Sequence, residues 1–185
     1  MSTRRLTYTL ASAFVLLVVT GCGTGSDSDA EAVAWTNQVC GALSGFARAA
    51  TTQPQVMNGA DPVATVRGLG DYFTATGTAV QGSITALDSI GPSPVAGGDE
   101  YVARLKGALT QIRTGFDAAR GQLTTVDTSS VQTMSVALPT ALAPLQELRN
   151  MADPTAGLQA NDELKAAADK AANCQQVRST TSPAR

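Results

Sequence analysis

Apolar residues recur at three- and four-residue steps through most of this 185-residue chain, the repeat that draws one greasy stripe along an α-helix. Trp35, Val39, Leu43, Phe46 and Ala50 form the first stripe and predict a helix from about Asp29 or Ala30 to Ala50, with Cys40 on its flank. Pro54 and Asn58-Gly59 predict a loop over 51–60. Asp61-Pro62 reads as an N-cap followed by the position where proline costs nothing. Val66, Leu69, Phe73, Val80, Ile84, Leu87 and Ile90 then hold one face of a second long helix, with Thr76 filling a gap in the stripe. Gly91-Pro92-Ser93-Pro94 ends it, and the turn continues through Gly97-Gly98. A third helix from Asp99 to Val126 carries the least interrupted pattern: Val102, Leu105, Leu109, Ile112, Phe116, Ala119, Leu123 and Val126. Such a stripe suits a helix packed along its length against near-parallel neighbours.

The segment Asp127-Thr128-Ser129-Ser130 predicts a stop and a fresh N-cap. Helix four carries Val131, Met134, Leu138, Leu142, Leu145 and Leu148, but Pro139 and Pro144 remove backbone donors, so it is expected to kink or split near Pro139. Asp153-Pro154 closes it. A last, shorter helix runs from Asn161 to about Val177, with Leu164, Ala167, Ala171 and Cys174 on its stripe. No segment alternates as a strand does. The expected fold is all-α: an antiparallel helical bundle of four long helices plus a shorter C-terminal helix. Alanine and glycine are plentiful on these helices, which allows close approach.

The first residues follow a different rule. Arg4 and Arg5 precede an uncharged stretch that lasts until Asp27, the layout of an export signal. Its densest part, residues 13–19, is too short for a hydrocarbon core that needs about 20 apolar residues. The stretch ends in Val19-Thr20-Gly21-Cys22, which resembles the lipobox of bacterial lipoproteins: an aliphatic residue, a small one, Gly or Ala, then cysteine. The resemblance implies that Cys22 accepts a diacylglycerol and becomes the N-terminus after cleavage behind Gly21. Two acyl chains hold a membrane stably where one holds marginally. A retained membrane anchor and plain secretion with a free Cys22 are the alternatives. Together with Trp35, Cys40 and Cys174, this start is similar to the Ala/Gly/Thr-rich helical envelope lipoproteins of actinobacteria. That likeness implies location and fold, a lipid-anchored domain on the extracytoplasmic face of the cell membrane, more than activity.

On this reading the chain divides into a signal peptide (1–21), a flexible tether (22–29), a bundle (30–178) and a disordered tail (179–185). Removing residues 1–21 leaves 164 residues, enough for one domain with a real core. The removed part carries two of 13 basic residues and none of 15 acidic ones, so the formal charge moves from −2 to −4. That balance lacks the basic footprint of a nucleic-acid binder. With Cys22 assigned to lipid, Cys40 and Cys174 remain. A disulfide between them suits an oxidising compartment and would stabilise the fold by roughly 4 to 5 kcal/mol on the chain-entropy view. Two separately buried thiols are the other reading.

Candidate chemistry is sparse. Lys106, Arg113 and Arg120 recur every seven residues on helix three, either to dock an anionic partner or as an ordinary solvated flank. Gly41 and Gly45 have the small-residue spacing that lets helices touch. Trp35, Tyr72 and Tyr101 either line a pocket or pack in the core. Asp99-Glu100 and Asp162-Glu163 sit at helix starts, where the dipole explains them, so no metal site is expected and no cofactor. The chain has no histidine, the commonest general base, no GxSxG elbow, and no glycine cluster ending in Lys-Ser/Thr. The reading that results is a non-catalytic envelope lipoprotein that binds a protein partner or serves a surface assembly. The alternative is a carrier for a lipid or other apolar small molecule, and an enzyme using carboxylates is a third.

Overall fold

The structure is a computed structural model that describes residues 24–52, 61–148 and 161–181. The expected signal peptide (1–21), Cys22, most of the first loop and Asp153-Pro154 lie outside the described residues. Within them the protein is all-helical, with no strand. The helices are α1 (Thr24–Thr51), α2 (Pro62–Asp88), α3 (Gly98–Leu123), α4 (Val131–Ala141), α5 (Ala143–Glu147), α6 (Asp162–Lys170) and α7 (Ala172–Thr181).

Helix boundaries follow local chemistry where capping residues are present. Asp61 caps α2 through Ala64 N, Ser130 and Thr133 form a reciprocal capping box on α4, and Asn161 accepts from Leu164 N at the head of α6. Each satisfies donors that a helix start otherwise leaves bare. Gly97 adopts φ 78° just before α3, a backbone shape that favours glycine.

Three boundaries differ from the sequence reading. Helix α1 starts at Thr24, inside the stretch expected to be a tether. Asp27 sits in its first turn, where a negative charge suits the dipole, and Lys170 Nζ lies 3.8 Å from Asp29 Oδ2. The fourth helix divides at Leu142 rather than at Pro139: Pro139 lies inside α4, while Pro144 occupies the first turn of α5, where no N–H is required. The expected last helix is two helices, parted at Ala171 with ψ 121°. The second continues to Thr181, three residues into the expected tail.

Two hydrophobic clusters hold these elements. The larger gathers Trp35 and Val39 of α1, Val80 and Leu87 of α2, Tyr101, Leu105 and Leu109 of α3, Leu164 and Ala168 of α6, and Cys174 of α7. The smaller packs Leu69 and Phe73 of α2 against Ala119 and Leu123 of α3 and Ala141 of α4. Phe73 and Phe116 centroids lie 5.7 Å apart, and Tyr72 meets Phe116 edge-on at 6.3 Å, geometry that aromatic quadrupoles favour.

Contacts between α2 and α3 run in opposite order: Asp88 meets Lys106, Gln81 meets Arg113, and Phe73 meets Phe116. Along α1 and α7 the order is the same. Asn37 meets Asn173, Cys40 meets Cys174, and Ala47 and Arg48 lie beside Val177 and Thr180. A disulfide joins Cys40 to Cys174 with their Cα atoms 4.9 Å apart.

Candidate functional site

The α2–α3 face carries a concave groove of about 730 Å³, open to solvent, whose apolar floor is edged by polar side chains. Gly77 and Gly82 of α2 contribute no side chains and so leave the depression, which Thr74, Thr78, Gln81 and Thr85 edge. Arg113, Asp117 and Arg120 of α3 form the opposite wall. Helical spacing explains the arrangement, because residues three, four and seven apart return to one face.

The threonines tie their hydroxyl protons to their own helix: Thr74 Oγ1 donates to Gly70 O at 2.8 Å and Thr78 Oγ1 to Thr74 O at 2.9 Å. Their lone pairs remain available as acceptors. Gln81 Nε2 donates to Thr85 Oγ1 at 3.2 Å, and Gln81 Oε1 accepts from Arg113 Nη1. Arg113 Nε stands 3.6 Å from Asp117 Oδ2, and Arg120 Nη2 stands 3.8 Å from Asp117 Oδ1. Two guanidinium groups therefore share one carboxylate, and the groove keeps an excess of positive charge and N–H donors. Planar forks of this kind match a carboxylate or a backbone carbonyl.

The basic line of the sequence thus divides. Lys106 pairs with Asp88 across the helix seam, whereas Arg113 and Arg120 face the groove. These exposed pairs stabilise little, about 0 to 1 kcal/mol each. Asp117 and Gln81 were absent from the sequence candidates. Asp117 had a readable signal, four residues after Arg113 and three before Arg120; Gln81 had none, since its partner is on another helix.

Other candidates are placed elsewhere. Trp35 and Tyr101 are buried in the larger cluster, and Trp35 Nε1 donates to Gly91 O at 2.9 Å. Tyr72 belongs to the smaller cluster, so the three aromatics do not line one pocket. At Gly41 an added Cβ would lie 2.8 Å from Asn173 Nδ2, while at Gly45 it would meet nothing within 4 Å. Only the first glycine of the pair permits a close approach. Asp99 Oδ1 accepts from Ser93 N at 2.9 Å, holding the loop before α3. Asp162 and Glu163 lie in the first turn of α6. Among the described residues no three His, Cys, Asp or Glu side chains converge as metal ligands.

Among the described residues the carboxyls of Asp127 and Asp169 have a shifted proton affinity, and both stand outside the groove. The Ser129 backbone N–H and hydroxyl hold the Asp127 carboxyl below its ordinary range. Arg178, hydrogen-bonded at 2.7 Å, does the same to Asp169, with Lys165 adding to it. A second depression of about 440 Å³, lined by Ala30, Val33, Ala34, Ala171 and Ala172, lies between α1 and the α6–α7 junction. Comparison with known proteins gives no match to this chain from any family model, curated protein or solved structure.

Proposed function

We propose that the protein is a membrane-anchored lipoprotein of the bacterial cell envelope, non-catalytic, whose helical domain binds a protein partner through the α2–α3 groove. The groove itself carries this reading: hydroxyl, amide and guanidinium groups edge a partly apolar floor, and two arginines share a single carboxylate. Arginine is favoured where partner proteins bind, and its fork donates to acidic side chains or exposed carbonyls. The reversed order of α2 and α3 contacts supports an antiparallel bundle as the platform, with α7 added alongside α1. Anchoring rests on Cys22 and its lipobox-like context, and it sets the domain on the extracytoplasmic side.

Two experiments test the reading. Cys22→Ala should release the protein from membranes, and unchanged retention would remove the lipid from the account. A photo-crosslinking residue at Thr78 should capture a discrete adduct in intact envelopes, and Arg113→Glu with Arg120→Glu should abolish it. An adduct indifferent to both charge reversals would argue against the groove.

The apolar depression beside α1 favours a second reading, a carrier for a lipid or other apolar small molecule. Native mass spectrometry of the domain lacking Cys22 separates the two, since a carrier should retain ligand mass.

A further inference from the structure

The way α1 begins bears on how such an anchor would hold the domain. Helix α1 is continuous from Thr24, yet Asp27, Ser28, Asp29, Ala30 and Glu31 are all exposed, and burial starts only at Ala32 and Trp35. Residues 24–31 form the first two turns of the helix, about 12 Å at about 1.5 Å per residue, and residues 27–31 of them are exposed to solvent. One contact ties this segment to the body, Lys170 Nζ to Asp29 Oδ2 at 3.8 Å, beside the depression that Ala30 lines together with Ala171 and Ala172. In the sequence only Gly23 separates Cys22 from Thr24.

The composition of this segment sets how it meets a bilayer. A helix that lies flat in the interface needs a large apolar face and basic residues opposite. Residues 24–31 read Thr-Gly-Ser-Asp-Ser-Asp-Ala-Glu, with three acids, no base and no large apolar side chain. Anionic headgroups repel such a segment.

We infer that lipid on Cys22 holds the domain by a stiff, upright helical stalk rather than a flexible tether, so that one defined end of the body faces the bilayer. This rests on the lipid-anchor reading given above. The end nearest the bilayer comprises the α6–α7 junction and the α2–α3 loop, which Trp35 binds through Gly91 O. The turn after α3 points away, because α3 rises from Gly98, beside the Trp35 ring, for 26 residues, or about 38 Å.

The test uses full-length lipidated protein in phosphatidylcholine–phosphatidylglycerol vesicles with nitroxide-labelled headgroups. A fluorophore is placed through Ala96→Cys on the α2–α3 loop or through Thr125→Cys beyond α3. Flotation with the vesicles and several-fold stronger quenching at residue 96 than at 125 is the expected result. Glu31→Pro, or a Gly-Ser-Gly-Ser insertion between residues 23 and 24, should leave flotation intact and erase the difference. Flotation with equal quenching in the parent overturns the stalk while sparing the anchor, as does a difference that survives both variants. Failure to float overturns the anchor, and the stalk with it.

Discussion

Five helices drawn from both ends of the chain meet around Val80 and Leu109, whereas the cluster around Phe73 uses α2, α3 and the short α4 and α5. The first cluster joins segments far apart in sequence, and it carries the cross-links: the Cys40–Cys174 disulfide, the Asn37–Asn173 bonds, Trp35 on Gly91 O and Asn161 on Ala96 O. The second joins neighbours along the chain and has aromatic contacts and a capping box. Closing a long loop costs more chain entropy than closing a short one. Ties therefore accumulate where the separation is greatest. The second cluster, with Pro139 inside α4 and Leu142 and Leu145 only half-buried, is the part expected to open first in hydrogen exchange.

The largest expected effect removes the covalent tie. Cys40→Ser with Cys174→Ser should cost about 2 to 5 kcal/mol in denaturant unfolding, with protection lost first in α6 and α7. Loss confined to α4 and α5 would reverse the comparison.

Next come two glycines, one per cluster. Gly98→Ala would push a methyl into Ser93 and to 3.2 Å from Trp35 Cη2, costing about 1 to 3 kcal/mol. At Gly115 the nearest atom is Leu148 Cδ1 at 2.9 Å, the far end of a flexible side chain. Gly115→Ala should cost less than Gly98→Ala, because the helix propensity gained, up to about 1 kcal/mol, offsets the shift of Leu148. Equal melting temperatures for the two variants would show that the second cluster is as tightly held as the first.

Ser130→Ala should remove the α4 capping box at a cost of about 1 kcal/mol, read as faster exchange in α4 with α6 unchanged. The smallest effect belongs to Asp169. Its carboxyl is held below the ordinary value of 3.8 by Arg178, so the contact contributes fully above that value and is lost as pH falls through the lower, folded one. Asp169→Asn should lower the melting temperature slightly at neutral pH and leave it unchanged in strong acid. A difference that persists in acid would mean the side chain acts by shape rather than charge.

Much of this architecture was legible in the sequence, and the exceptions share a cause. Asp61, Ser130 and Asn161 announced their helices because a cap and the donors it satisfies are local. The seams of α2 and α3 were legible because periodicity is local too. The break at Ala171 carries neither glycine nor proline; the head of α7 is satisfied from elsewhere, by Asn37 Oδ1 accepting from Asn173 N at 2.9 Å. Residues 24–29 of the expected tether are helical: small polar residues suit linkers, yet helix propagation from a packed segment costs little once the nucleus exists. Within the groove, Arg113 and Arg120 were visible as a line on one helix, but Gln81 and the two glycines that shape the depression come from a neighbour that periodicity cannot register.

Asn37 stands 136 residues before the amide it satisfies. The opening and closing segments are thus mutual templates: once the disulfide is reduced, clipping the polypeptide at either extremity would leave the opposite one short of a partner, so fragments from limited proteolysis under reducing conditions should lose both together.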